Sequence, residues 1–224
     1  MWSILTCARF LASLAWVISV AAAAETCTYE TWTWDSVQKK VVNLERVRKT
    51  RSDLTSSELG TVEGCSVCEQ DQIEISVDVR QDQKSSEQGE SLKKFKVCKK
   101  YREKISAALK AAIDAGFPIS SLVGYRVGKS KGPLNSLGQR TEFSNHSYGV
   151  ALDINSEKNG LYDFCPAFSP ACKLIRGGPY VLSAPGTILG NSILYTSMLK
   201  EGLKWGGEIQ GKQKDFMHFS PTGT

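Results

Sequence analysis

Ser144-Asn145-His146-Ser147-Tyr148-Gly149-Val150-Ala151-Leu152-Asp153 is the stretch whose reading decides how this chain is organised. Val150 to Asn155 reads as a short strand with Val150, Leu152 and Ile154 on one face, so Asp153 must point to the other. A carboxylate opposite a buried aliphatic row needs a partner, and His146, a few residues upstream across Gly149, is placed to meet it. The chain contains only two histidines. The second lies in Asp215-Phe216-Met217-His218-Phe219, downstream of Trp205-Gly206-Gly207. A lone histidine among aliphatics is usually a satisfied core residue. Two imidazoles and one carboxylate, however, are the three protein ligands expected of a catalytic zinc, which keeps its fourth position for water. Asp215, just upstream of His218, is the candidate base beside such a water. Residues three apart in a strand face opposite ways, so Asp215 is expected in the turn before the strand.

Outward from these segments, the spacing predicts a helix over Leu92 to Ala115. Phe95, Cys98, Tyr101, Ile105, Leu109 and Ala112 recur there at three- and four-residue steps, and Gly116 offers a C-terminal cap. In Gln72 to Arg80, Ile73, Ile75, Val77 and Val79 alternate with polar residues, the period of a half-buried strand. Thr28 to Trp34, Lys40 to Val47, Ser120 to Arg126, Leu203 to Trp205 and Phe216 to Phe219 also read as strands. Asn191 is the expected N-cap of a helix from Ser192 to Glu201, closed by Gly202. Thr50 to Ser57 and Gln81 to Ser91 are polar loops, and Ser156 to Gly190 is a long Gly- and Pro-rich excursion.

Of the 224 residues, 1–24 read as a secretory signal peptide: Arg9, an apolar run from Phe10 to Val20, then Ala22-Ala23-Ala24. The competing reading is an uncleaved anchor, but no later stretch reaches the ~18 apolar residues of a membrane span. Cleavage removes Cys7 and leaves Cys27, Cys65, Cys68, Cys98, Cys165 and Cys172, an even set for an oxidising compartment. Cys165 and Cys172 bracket a short loop and form the expected pair; the other four allow three connectivities. Cys65-x-x-Cys68 has no second close pair and no nearby histidine, which disfavours a structural zinc site.

The net charge is +5; without Arg9, 27 basic residues face 23 acidic ones, leaving +4. Much of it collects in Lys93, Lys94, Lys96, Lys99, Lys100, Arg102 and Lys104, read as a solvated helix face, with attraction to a cell-wall polyanion as the alternative. Nucleic acid is a poor partner for an exported chain with no binding motif. A secreted or periplasmic monomer without stable membrane insertion is expected.

Together, Gly124-Tyr125-Arg126, the run Ser144 to Asp153, Trp205-Gly206-Gly207 and Asp215 to Phe219 stand in an order that resembles the zinc D-alanyl-D-alanine carboxypeptidases. Related families include D-Ala-D-Ala dipeptidases, L-alanyl-D-glutamate endopeptidases and the hedgehog domains. The resemblance covers about Leu92 to Ser220. It implies an α+β fold with a small central antiparallel sheet and flanking helices, disulfide-stapled in this chain. It implies zinc held by His146, Asp153 and His218, with Asp215 as catalytic base. Arg126 would bind substrate or stabilise developing charge. Ser144, Tyr148 and Trp205 are the further candidate substrate contacts, although a Trp beside Gly-Gly is as often core packing. The organisation expected is a signal peptide (1–24), a strand-rich extension packed on the catalytic domain (25–91) and a catalytic domain (92–224). Peptidoglycan stem peptides are the expected substrate. An endopeptidase cutting inside the stem, or a zinc-stabilised binding module without catalysis, are the alternatives. Ser220 stands where many relatives carry Glu, and Glu208 and Ile209 where many carry a bulky aromatic.

Overall fold

The computed structural model describes residues 25–79 and 91–224. Residues 1–24, which the sequence reading takes as a signal peptide, Arg80 and the greater part of the Gln81–Ser91 loop lie outside the described residues. Thr26–Asp35 (β1) and Lys40–Thr50 (β2) form an antiparallel hairpin, followed by a single helical turn, Ser56–Leu59 (α1). Gln72–Asp78 (β3) pairs antiparallel with Leu92–Cys98 (β4), and a long helix, Arg102–Asp114 (α2), follows. Leu122–Val123 (β5), Lys129–Leu134 (β6), Arg140–Phe143 (β7) and Leu152–Ile154 (β8) lead into the first histidine segment and out of it. Leu161–Asp163 (β9) and Lys173–Arg176 (β10) bound the disulfide-stapled excursion, and Ile193–Lys200 (α3) follows. Lys204–Trp205 (β11), Lys214–Asp215 (β12) and His218–Ser220 (β13) close the chain.

These elements make a mixed α+β protein, richer in strands than in helices. The site is carried by an all-antiparallel sheet in the order β11-β13-β8-β5. A second sheet, β10-β9-β12, lies at one flank, and the β1–β2 hairpin joins β6 and β7 in a third. Ile105, Leu109 and Ala112 of α2 meet Leu194 and Met198 of α3, with Leu152, Ile154 and Phe219 of the site sheet in the same buried cluster. Apolar burial of this kind contributes roughly 25 cal/mol per Å² and holds the sheet rigid beneath the site. No helix among the described residues is long and apolar enough to cross a membrane.

The helix predicted over Leu92 to Ala115 is corrected in its first third. Phe95 and Val97 are buried while Lys94 and Lys96 are exposed, which is a period of two, and Phe95 faces Ile75 across β3. The step from Phe95 to Cys98 suits a helix as well as a strand end, and the open edge of β3 decides between them by supplying the backbone partners. The basic residues therefore do not share one helix face: Lys94 and Lys96 line a strand, and Arg102 and Lys104 begin α2. Asn191 does not cap α3 either; Ser192 does, its hydroxyl accepting from the Tyr195 amide at 3.3 Å. The strand predicted over Ser120 to Arg126 shrinks to Leu122–Val123, because the Tyr125 amide turns to the Lys96 carbonyl and the Arg126 amide to that of His146.

Cys27 is bonded to Cys68, Cys65 to Cys98, and Cys165 to Cys172. The Cys65–Cys98 bond spans 33 residues and ties the N-terminal segment to the end of β4, whose Cys98 amide donates to the Gly149 carbonyl at 2.8 Å. Replacing Cys65 and Cys98 together by Ala is expected to lower unfolding free energy by about 3–4 kcal/mol through loop entropy. Denaturant unfolding of the oxidised proteins checks this, and a change below ~1 kcal/mol would refute it.

Candidate metal centre and active site

His146 sits in a tight turn, Asn145–Tyr148, and is buried. The turn is pinned by Ser147, whose hydroxyl accepts from the Gly128 amide at 3.1 Å, and ends at Gly149 with φ +65°. A Cβ at Gly149 would lie 2.0 Å from Gln72 Oε1 and 2.5 Å from the Cys98 nitrogen, so both the left-handed backbone and the space demand glycine. Asp153, in the middle of β8, pairs with His218 of β13. Cross-strand partners share a face, and the third residue comes from the turn against that face.

The resulting geometry is compact. His146 Nε2 and His218 Nδ1 each lie 3.0 Å from Asp153 Oδ1, and the three ligand atoms are within 4.8 Å of one another. His146 Nδ1 is 2.8 Å from the Gly124 carbonyl, which can only accept, so that nitrogen carries the proton. Nε2 of the neutral ring then turns its lone pair toward the carboxylate. Burial lowers the His146 pKa, against the opposing pull of Asp153, and so favours the neutral ring. Burial alone would raise Asp153, but the facing His146 and His218 outweigh it and hold the carboxyl well below its usual range. Both rings face one carboxylate oxygen at 3.0 Å, and an N₂O donor set in which a carbonyl fixes the outer nitrogen of His146 suits zinc. The residues present therefore fit a divalent metal. His218 Nε2 is buried without a partner among the described residues.

Two charged groups border the cluster. Arg126 Nη2 donates to Asp153 Oδ2 at 3.3 Å, while its Nε is buried and unpartnered among the described residues. Asp215 ends β12, one turn before His218, with its Oδ1 likewise buried and unpartnered. Burial raises the Asp215 pKa; His218 opposes, and Asp153 adds to the rise. Trp205-Gly206-Gly207 explains how Asp215 is held. A Cβ at Gly206 would come within 2.3 Å of the Asp215 carbonyl oxygen, so only glycine permits this approach. The Trp205 indole donates to the Phe216 carbonyl at 2.8 Å and anchors the turn between Asp215 and His218.

The other sequence candidates fall elsewhere. Trp205 is buried in the core beside Tyr195 and Phe216, where it shapes the turn from beneath. Tyr148 is turned toward the N-terminal segment, its hydroxyl donating to the Ser57 carbonyl at 2.6 Å and its ring against Phe143. Ser144 is buried at the start of the histidine turn with its hydroxyl unpartnered among the described residues. Two features escape sequence reasoning. A cleft of about 510 Å³, lined by Trp32, Glu45, Arg46 and Arg126, opens between the β1–β2 hairpin and the segment from Tyr125 to Val127. Arg176 of β10 stands opposite Leu161, whose other neighbour is Asp215. Neither leaves a local pattern, since both arise from pairing between distant strands.

Residues 138–221 match the model of a family described as D-alanyl-D-alanine carboxypeptidase. No curated protein and no solved structure matches the chain. Arg126 and the β1–β2 hairpin lie outside the matched segment. Residues 138–221, which hold His146, Asp153, Asp215 and His218, are thus similar to the D-alanyl-D-alanine carboxypeptidase family, a family of peptidases.

Proposed function

We propose that this protein is a zinc metallopeptidase of peptidoglycan stem peptides, acting as a D-alanyl-D-alanine carboxypeptidase outside the cytoplasm, as a monomer. The observation that carries this reading is the meeting of His146 Nε2, His218 Nδ1 and Asp153 Oδ1 beside Asp215, whose Oδ1 is buried and unpartnered among the described residues. A binding module that uses zinc only for stability has no need of a base in that position. Residues 92–224 act as the catalytic unit in the fold of the hedgehog and D-Ala-D-Ala peptidase families, with 25–91 packed on it. The β3–β4 pairing and the Cys65–Cys98 bond cross that boundary.

His146, Asp153 and His218 would hold the metal, and the second nitrogen of His146 is oriented by Gly124. When bound, zinc lowers the pKa of a water toward ~7 and polarises the scissile carbonyl. Asp215 Oδ1, free of other partners among the described residues, accepts the water's proton and returns it to the leaving amine. Its raised pKa suits it to carry that proton between the two steps. Arg126, next to Asp153, faces the oxygen on which negative charge develops.

The alternative is an endopeptidase that cuts inside the stem peptide, which would need room for chain beyond the leaving amine. Incubating the protein with a D-Ala-D-Ala-terminated pentapeptide and identifying products by mass separates the readings. Release of a single alanine is expected, abolished by a chelator and restored by zinc. An internal cut points to the endopeptidase, and an intact peptide with zinc-loaded protein rejects catalysis altogether.

A further inference from the structure

Arg176, Leu161 and Asp215 lie in one row across the β10-β9-β12 sheet, with Leu161 the partner of both. Partners in a row project from the same face, so Arg176 and Asp215 point the same way, with Cα atoms about 10 Å apart across two strand spacings. A bulge puts Arg176 there: Leu174 pairs with Tyr162 and Arg176 with Leu161, leaving Ile175 as the extra residue. In a regular strand residues 174 and 176 would share a face, and the inserted residue turns Arg176 to the opposite one. The strand is held on both sides, by the Cys165–Cys172 bond before it and by the Gly178 amide donating to the Ser156 carbonyl at 2.8 Å after it. Arg176 is exposed and forms no ion pair among the described residues, yet its charge bears on both Asp215 and Arg126.

The chemistry at Asp215 says what such a cation meets. Asp215 returns its proton to the leaving amine, and in a C-terminal residue the carboxylate carbon sits two bonds from that nitrogen, about 2.5 Å away. A terminal carboxylate must therefore lie on the Asp215 side of the cluster. Arg126 is engaged with Asp153 and serves the oxyanion. We propose that Arg176 is a substrate-binding residue that grips the C-terminal carboxylate of the peptide, so that the site selects chain ends over internal bonds. This rests on the peptidase reading given above.

The test compares a D-Ala-D-Ala-terminated peptide with the same peptide bearing a C-terminal amide. Wild-type protein is expected to prefer the free acid, and Arg176→Ala to reduce the acid-to-amide ratio of kcat/KM roughly 10- to 100-fold, the range of a charge-assisted contact. Arg176→Lys, which keeps the charge and loses the planar fork, is expected to fall between. An unchanged ratio in Arg176→Ala overturns the assignment, as does equal cleavage of acid and amide by wild-type protein. If wild-type protein cleaves neither peptide, the peptidase reading falls on its own, and calorimetric binding of acid and amide to the zinc-loaded protein decides the role of Arg176. A preference for the acid that disappears in Arg176→Ala then supports it, and equal Kd values overturn it.

Discussion

Asp153→Asn is expected to empty the metal centre and lower kcat/KM on the order of 10³-fold or more, the scale of several kcal/mol that a Lewis-acid metal contributes. The substitution is nearly isosteric, so Leu152 and Ile154 on the opposite face of β8 keep their packing. What changes is charge. Asp153 Oδ1 is the one atom that both His146 Nε2 and His218 Nδ1 face at 3.0 Å, and Oδ2 holds Arg126 at 3.3 Å. An amide cannot serve all three, because its nitrogen side only donates. Neutralising the carboxylate also leaves the Arg126 guanidinium, which burial already disfavours, without its anion. Zinc content after dialysis and kcat/KM on the pentapeptide measure the outcome. A variant that retains one zinc per chain and activity within tenfold of wild type would remove Asp153 from the ligand set.

Asp215→Asn should behave differently, keeping the metal and losing activity by about 10²- to 10⁴-fold, the usual contribution of a positioned general base. The base must be ionised to accept a proton, so the activity of the wild-type protein falls as pH drops through the Asp215 pKa. Burial raises that pKa, which moves the acid limb of the profile above the ordinary carboxylate value of ~3.9. The same shift has a stability consequence of opposite sign. A carboxyl whose folded pKa is raised favours folding when protonated, so at pH 7 the ionised group costs stability in the metal-free protein. Metal-free Asp215→Asn is therefore expected to unfold at a higher temperature than wild type at pH 7. The advantage shrinks as pH falls through the raised value toward that of the unfolded chain. Calorimetry at pH 7 and pH 4, with zinc content and kcat/KM, tests both halves; undiminished activity would reject Asp215 as the base.

Much of this site was legible beforehand because its signals are local. His146 and Asp153 lie on one turn and the strand after it, and the alternation of Val150, Leu152 and Ile154 places Asp153 opposite the core. Gly149 is readable as a point of close approach once its neighbour is known, but that neighbour, Gln72, is far away in the chain. β4 is ambiguous in the sequence because Phe95, Val97 and Cys98 satisfy a helical and an extended period equally over so few residues, and only the edge of β3 chooses. Trp205 and Tyr148 were identified as aromatics near the site, but residue type does not say which way a ring faces. One fills the core beneath Asp215 and the other leans on α1.

The amino-acid order by itself determined the donor types, their pairing with short strands, the even cysteine set and the family resemblance, since these depend on composition and on periods within a few residues. Tertiary structure alone decided that Asp153 and His218, separated by 65 positions, share one cross-strand pair. It also decided that Cys65 meets Cys98, and that a single bulged residue brings Arg176 round to the face of Asp215. Contacts of this kind are set by strand register across the whole sheet, and register follows from how distant apolar faces bury together, which no window of sequence contains.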